Sequence, residues 1–498
     1  MRNFKVILLI SIFSLIGSFF IFRAIEIYGP LITPDSVYYL QASENFKEGL
    51  GVKVKDAEGL KPLVHFPPLY PVFISFFDDL RVPNVLLSFI TNFLLGLFMF
   101  IATNSLFSSI LSVVLFSVSP NHTFNFSRLW SETLSLPLIL LAIIFLWRYL
   151  NSRRMIFLLI FSLLVSISSL VRYANLFFIL VIFTIPLIYR ISFSHLVLSV
   201  ILSSAGFIFW HVLNLMVLQG SLARDFSFHI FSFDHVLTFL KTLKLYIPRG
   251  ASIHYLFGVP IYFFVVPLIV LGTVILIFFI VRENFHDLKK LLSFSDIEKV
   301  LLVCSICYVI FIFLSISFAD YYIPPDLRIM SPFFVLMFSF VFIFVYRVLK
   351  FKLASLPLLF GFLIGYFSHS FSFINAARLD PVDYNNPRYA NLEIISEVKK
   401  LPEGAIIYSN APDLIYFHTR KASSSVPFKF YPATTRTNKK FDENLKRMFN
   451  RLKENDGFLV IIYSVKRPYL PTEEELTSKL NLRLYVKTKD GVIYKAGE

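Results

Sequence analysis

Charge is what this chain has least of. Lys, Arg, Asp and Glu make up 16% of its 498 residues, against about 25% in an ordinary soluble domain, too few to solvate a globular surface. Cysteine is almost missing as well. Cys304 and Cys307 are the only two, which excludes a disulfide scaffold, and with no further thiol to complete a metal or redox centre the pair in LLVCSICYVIFIFL reads as buried packing. No Asp-x-Asp and no glycine-rich phosphate loop occurs. The net charge of +15 divides into +9 over residues 1–380 and +6 over 381–498. Neither part carries a dense basic stripe interleaved with aromatics, so nothing calls for nucleic acid. What is abundant is apolar: 56% hydrophobic residues, 60 of them Phe, with a mean hydropathy of +0.70. The composition is that of an α-helical polytopic membrane protein surrounded by membrane lipids.

A helix needs about 20 apolar residues to cross a bilayer. On that length, spans are expected near 5–25, 82–102, 104–119, 129–147, 155–171, 173–189, 196–218, 257–281, 299–318, 329–349 and 354–375, eleven in all. The first apolar run reaches Phe22 without a small-residue cleavage site after it, so it reads as an uncleaved span, not a signal peptide. The basic residues then set the orientation. With the N-terminus cytoplasmic, thirteen Lys and Arg, among them Arg2, Lys5, Arg153, Arg154, Lys289 and Arg347, fall in short inside segments, against Arg128, Arg172 and Arg328 outside. The odd number of spans places the chain after about residue 380 on the outer face, and the cell membrane is the expected location.

Two organisational units follow. Residues 1–380 form the transmembrane domain, with long outside loops over 26–81 and 219–256. Such loops carry function more often than short ones. In the second, FDHVLTFLKTLKLYI has helical apolar spacing suited to a membrane surface. Residues 381–498 have a soluble composition. YANLEIISEVKKLPEGAIIYSN and TNKKFDENLKRMFNRLKENDGFLVIIYS each read as helix, turn and buried strand, and LRLYVKTKDGVIYKAG reads as a hairpin turning at Lys489-Asp490-Gly491. The alternation predicts a small α/β layer domain.

Charges near a bilayer centre cost about 2.5–3.5 kcal/mol each, so those that interrupt apolar segments need a reason. Asp35, His65, Arg128, Glu132, Arg172, Asp320, Asp326 and Arg328 all fall near the outer ends of the expected spans. Either they converge on one outward-facing cavity or each snorkels to water separately. Asp35, behind Thr33-Pro34, is a first-turn or capping carboxylate, or a general base for an acceptor hydroxyl. His65 leads into the rigid HFPPLYPVFIS turn and either donates to a phosphate or caps that turn. Arg128 and Glu132 stand at i and i+4 in FSRLWSETLSLPLILL, a spacing for a helical salt bridge, while Arg128 also has the fork of donors that suits a phosphate. Arg172 breaks the run SSLVRYANLFF and is a second phosphate candidate. Asp326 and Arg328, in YIPPDLRIMSPFF, are either a local pair or a ligand pair at the mouth of a late span. Glu132 and Asp326 are candidates to support the arginines or to hold a divalent metal, and no motif specifies any cofactor.

Four of these segments, in this order, resemble the GT-C superfamily of integral-membrane glycosyltransferases, in particular the branch of protein O-mannosyltransferases and the lipid A aminoarabinose transferase. PDSVYYLQASENFKEG is similar to the first-loop motif with its acidic residue, and HFPPLYPVFIS to the Pro-Pro-Leu re-entry. FSRLWSETLSLPLILL resembles the Arg and carboxylate entry to a span, and PDLRIMSPFFVLM the Arg…Pro segment of a late one. The resemblance covers about residues 5–375. It implies inverting sugar transfer from a polyprenyl-phosphate-linked donor to a lipid, glycan or protein acceptor on the non-cytoplasmic face. Asp35 would be the base or would orient the acceptor. Arg128 and Arg328 would hold the lipid phosphate, with His65 near a position that is basic in some relatives. Glu132 would hold Arg128 or join Asp35 at a metal. The chain departs from the pattern where Ser36 replaces a second acidic residue after Asp35, and in having no Trp-Trp-Asp motif. A transporter or flippase of lipid-linked sugars is the competing class, but such proteins need access from both faces, and the candidate charges gather at one.

Overall fold

In a computed structural model of the chain, which describes residues 2–217, 228–247, 255–256, 259–260, 267–268, 270–271, 293–349 and 356–497, the apolar runs become helices. Seven are long and apolar enough to cross a membrane: α1 (Arg2–Ile25), α4 (Arg81–Thr103), α7 (Glu132–Ser152), α10 (Phe193–Val217), α12 (Asp296–Phe318), α13 (Ser331–Leu349) and α14 (Leu356–Leu379). Shorter apolar helices fall where three more spans were expected, at α5 (Leu106–Ser117), α8 (Met155–Ser169) and the stretch Tyr173–Leu187, which contains α9 (Phe177–Thr184). The expected span at 257–281 lies largely outside the described residues. At 15 residues, α8 is about 22 Å long by its rise, less than the hydrocarbon thickness. It stops at Ser169, and the turn that follows leads to Arg172, whose side chain is 10% exposed.

Small residues let these helices approach closely, the usual packing device where lipid is as apolar as the side chains. A Cβ on Gly96 of α4 would come within 2.7 Å of methyl groups of both Ile10 on α1 and Val113 on α5. Around this seam runs a continuous core that includes Phe98, Phe116, Phe161, Phe177 and Tyr308.

The first loop is ordered. Its α2 (Pro34–Lys47) is followed by the hairpin β1 (Lys53–Asp56) and β2 (Gly59–Pro62), then by α3 (Leu69–Ser75) after the His65–Pro68 turn. The short α6 (Pro120–Phe126) precedes an extended stretch in which Leu31 bridges Arg128: Leu31 N donates to Ser127 O at 2.8 Å, and Leu129 N donates to Leu31 O at 3.1 Å. In the second loop, the expected helix is α11 (Phe233–Leu245), packed on residues 321–330 through Thr242 Oγ1 to Pro325 O at 3.0 Å and Tyr246 Oη to Met330 O at 3.1 Å. Nearby are the short strands β3 (Tyr255–Leu256) and β4 (Val259–Pro260).

The C-terminal region has the expected alternation. After α15 (Pro387–Ala390), α16 (Glu393–Lys400) leads into β5 (Ile407–Ser409), and α17 (Pro412–Thr419) into β6 (Ser424–Ser425). Then α18 (Phe441–Glu454) precedes β7 (Phe458–Ile462), and α19 (Glu473–Lys479) precedes the hairpin of β8 (Leu482–Lys487) and β9 (Gly491–Ala496). The sheet order is β6-β5-β7-β9-β8, parallel across β6-β5-β7 and antiparallel on the other side. The central strand FLVII is buried throughout, as a strand covered on both faces should be. This domain joins the helices through Tyr384 N, which donates to Ile32 O at 2.9 Å.

Overpacking of a tight core costs about 1–3 kcal/mol. Gly96→Val is therefore expected to lower the thermal unfolding midpoint of the detergent-solubilised protein, whereas Val substituted for exposed Leu163 on the outward face of α8 should leave it unchanged.

Candidate active site

Thr33 and Ser36 build the entry to α2. Ser36 Oγ accepts from Thr33 N at 3.1 Å and lies 3.0 Å from Thr33 Oγ1, a reciprocal cap of the first turn. Pro34 fits that turn because its missing N–H has no helical partner there. Asp35 is thus a first-turn residue and not the cap, and its carboxylate points at Arg328, with Oδ2 accepting from Arg328 Nη1 at 2.6 Å. Arg328 Nε reaches Glu132 Oε1 at 2.6 Å, and Arg172 pairs with that same oxygen. Four charges from four places in the sequence form one chain, Arg172–Glu132–Arg328–Asp35. Side-chain exposure is lowest at Glu132, 0%, and rises on either side of it, to 10% at Arg172 and through 18% at Arg328 to 32% at Asp35. Deep inside, the two guanidiniums compensate a carboxylate that has left water; at the outer end a carboxylate is offered to solvent.

Two expected local pairs do not form. Residues 128–131 are extended or turn and α7 begins only at Glu132, so the i, i+4 helical geometry between Arg128 and Glu132 does not exist. Arg128 pairs instead with Asp383 at 3.0 Å and lies over Phe124 at 4.0 Å, and it is not among the residues that line the cavity described below. Burial pushes the Asp383 carboxyl up while Arg128 pulls it down, the first effect prevailing. Asp326 and Arg328 do not pair through their side chains. Asp326 Oδ1 accepts from the backbone N–H of Arg328 and of Ile329, both at 3.0 Å, capping the turn from which the Arg328 guanidinium projects. Burial likewise raises the Asp326 carboxyl above the usual range.

Trp130 connects the two arginines. The guanidinium carbons of Arg328 and Arg128 lie over its indole at 4.6 Å and 5.0 Å, and its Nε1 donates to Thr33 Oγ1 at 2.8 Å. The indole therefore fixes Arg328, by cation–π attraction, against the same turn that presents Asp35.

The outer end of the charge chain opens into a cavity of about 650 Å³. Asp35, His65, Arg172, Asp320 and Arg328 line it, five of the eight charges expected to gather at one cavity. Tyr39, Tyr173 and His211 add polar groups, while Phe207, Phe311, Leu314 and Phe318 of α10 and α12 form an apolar wall. Burial raises the Tyr39 phenol, and the nearby Asp35 adds to that effect, so Tyr39 stays a neutral hydrogen-bonding group at neutral pH. A cavity with cationic donors at one end and aromatic rings along the other suits an anion attached to an apolar chain. Among the described residues no group of three or more His, Cys, Asp and Glu is placed to hold a metal ion, and the metal candidate Glu132 is committed to two guanidiniums.

Tyr39, Trp130, His211 and Asp383 belong to the site without being marked as candidates by the sequence. Tyr39 follows Asp35 by four residues in a helix and so shares its face. His211 interrupts an apolar span, itself a functional signal in a membrane helix. Asp383 had no local signal, because its partner is 255 residues away.

The seven long apolar helices among the described residues, the ordered first loop and the C-terminal sheet domain are those of an integral membrane protein with a GT-C-like fold. The crystal structure of ArnT from Cupriavidus metallidurans bound to undecaprenyl phosphate matches over 100% of both chains, with a TM-score of 0.53 and 13% sequence identity. The Archaeoglobus fulgidus oligosaccharyltransferase in complex with Zn and sulfate matches 97% of this chain and 73% of its own, with a TM-score of 0.47 and 12% identity. No protein-family model and no curated protein matches the sequence.

Removing one partner of a buried ion pair costs about 3–5 kcal/mol, because it strands the other charge. Glu132→Gln strands two, Arg172 and Arg328, and is expected to lower the thermal midpoint more than Asp35→Asn does. Adding Arg172→Met to Glu132→Gln should cost little further. Strictly additive losses in that double-mutant cycle would show that the Glu132–Arg172 contact is not energetically coupled.

Proposed function

We propose that the protein is a glycosyltransferase that moves a sugar from a polyprenyl-phosphate-linked donor to an acceptor hydroxyl on the non-cytoplasmic face of the cell membrane. The observation that carries this reading is the Arg172–Glu132–Arg328–Asp35 chain, which ends in a mostly apolar cavity of about 650 Å³. The GT-C fold supports it, and the excess of Lys and Arg at the opposite ends of the spans supports the orientation, with the N-terminus cytoplasmic and the C-terminal domain outside.

In this reading the prenyl chain lies along Phe207, Phe311 and Phe318, and the phosphate is held by Arg328 and Arg172, with His65 as a further donor. Asp35 takes the proton of the acceptor hydroxyl as its oxygen attacks the anomeric carbon from the face opposite the phosphate. The new C–O bond forms as the bond from that carbon to the phosphate oxygen breaks, and the electron pair leaves on the phosphate. The guanidiniums, already fixed by Glu132 and Trp130, meet the growing charge without reorganising, which is where electrostatic catalysis is most effective. Glu132 and Trp130 act through Arg328 and Arg172 as positioning residues, Asp326 orients the Arg328 turn, and Arg128 ties the C-terminal domain to the site through Asp383. The sugar and the acceptor are left open by this geometry.

The test uses the full chain in lipid nanodiscs with a panel of polyprenyl-phosphate sugars and candidate acceptors, following donor by mass spectrometry. Loss of a general base typically costs about 10²–10⁴ in rate, so Asp35→Asn should consume donor at least 100-fold more slowly than wild type. Equal rates would remove Asp35 from the chemistry. If neither protein consumes donor while lipid-linked sugar crosses vesicle bilayers, the chain is a flippase.

A further inference from the structure

A second cavity, of about 400 Å³, lies on the other side of α2 from the first. One helix serves both: Asp35 and Tyr39 line the first, Tyr38 and Gln41 the second. The two are divided by an aromatic contact between Tyr38 and Phe66, whose ring centroids are 6.1 Å apart, with Phe66 itself lining the first. The remaining walls come from the β1–β2 hairpin and from the C-terminal domain. These two parts are fastened to each other by Ala57 N donating to Ser424 Oγ at 3.1 Å and by the Arg451–Glu58 pair at 2.7 Å. The second cavity is therefore built jointly by the first loop and the C-terminal domain.

Its chemistry is polar but internally neutralised. Lys61 pairs with Asp56 at 2.7 Å and with Glu58 at 2.8 Å. Asp413 receives Arg467 Nη2 on both oxygens at 2.7 Å and the Tyr384 hydroxyl at 2.7 Å. Arg447 is held by Glu443 at 3.3 Å. A ligand seeking these paired groups would have to break the pairs, and Lys55, exposed to solvent, is the one charged lining residue with no ion pair among the described residues. The rest of what the cavity offers is neutral: the Asn444 amide and the Tyr38 hydroxyl have no hydrogen-bond partner among the described residues, and the Tyr431 ring is 43% exposed. Amide and phenol groups donate and accept to hydroxyls, and an exposed tyrosine ring gives a flat apolar face with a polar edge. Together these recognise a compact ligand with an apolar face and many hydroxyls. The Tyr38 phenol, pushed up to about 12 by burial with the Asp413 and Asp35 carboxylates adding to the effect, stays protonated as a donor.

We propose that this cavity is the acceptor subsite and that it takes an uncharged, hydroxyl-rich glycan segment, seated on Tyr431 and bonded by Asn444 and Tyr38, so that the next hydroxyl of the same molecule is presented past α2 to Asp35. This rests on the transfer reading above and adds to it the acceptor class and a role for the C-terminal domain.

The experiment is saturation-transfer-difference NMR on the full chain in nanodiscs with three neutral trisaccharides, maltotriose, mannotriose and N,N′,N″-triacetylchitotriose, and with a trigalacturonate as the anionic counterpart. Donor consumption with the acceptor panel of the transfer assay is measured on the same samples. At least one neutral trisaccharide should give signal with wild type and equally with Asp35→Asn. The Asn444→Ala/Tyr431→Ala double variant should lose that signal at least fivefold while keeping the wild-type thermal unfolding midpoint. Donor turnover with no neutral-saccharide signal, signal that survives the double variant, or signal confined to trigalacturonate each overturns the assignment of this cavity and leaves the transfer reading standing. Absence of donor turnover in wild type, with saccharide signal present, overturns the transfer reading and the acceptor role with it.

Discussion

Glu132 is a carboxylate with no exposed side-chain surface, and the site depends on how it is kept charged. A carboxylate placed alone in a low-dielectric interior would take up a proton instead of remaining ionised. Here two guanidiniums, Arg172 and Arg328, converge on one of its oxygens. Their geometry follows from Glu132 as much as its charge follows from them. Arg172 is drawn inward at the end of a short α8, and Arg328 is turned away from its neighbour Asp326 toward α7. Only because Arg328 is fixed at its Nε does its Nη1 present a defined donor to Asp35.

A second set of contacts holds this chain of charges in register with the C-terminal domain. Leu31 bridges Arg128, Trp130 touches both Arg128 and Arg328 while bonding Thr33, and Arg128 and Ile32 tie down Asp383 and Tyr384. The segment 127–131 is thus a hub between the first loop, the charge chain and the C-terminal domain. This explains its irregular backbone. A helix continued through Arg128 would satisfy its own amides, but it would put the Arg128, Trp130 and Glu132 side chains in different directions from those the site uses.

Much of the scaffold was readable because apolar length and charge sidedness are local signals. Ten of the expected spans have helices at their places, and the helix–strand alternation after residue 385 matches α16–β5 and α18–β7, as the hairpin at Asp490 matches β8–β9. The site was half readable. Scarcity of charge pointed to Asp35, His65, Arg172 and Arg328, because a charge beside a lipid-facing run is expensive wherever it sits. Pairing was not readable, since spacing favours the neighbours Arg128–Glu132 and Asp326–Arg328 over partners 196 and 293 residues apart. Nor was the role of Trp130, which as a sequence feature looks like any aromatic at a membrane edge.

The proposed transfer requires the cavity beneath Asp35 to hold a lipid phosphate on Arg328 and Arg172. Cryo-electron microscopy of the full chain in nanodiscs with a non-transferable phosphonate analogue of a polyprenyl-phosphate sugar tests this. Phosphonate density is expected within hydrogen-bonding reach of both guanidiniums, with prenyl density along Phe207, Phe311 and Phe318 and the anomeric carbon facing Asp35. Density for the head group at the Arg128–Asp383 pair, or at the opposite end of the spans beside Arg347 and Glu298, would contradict it.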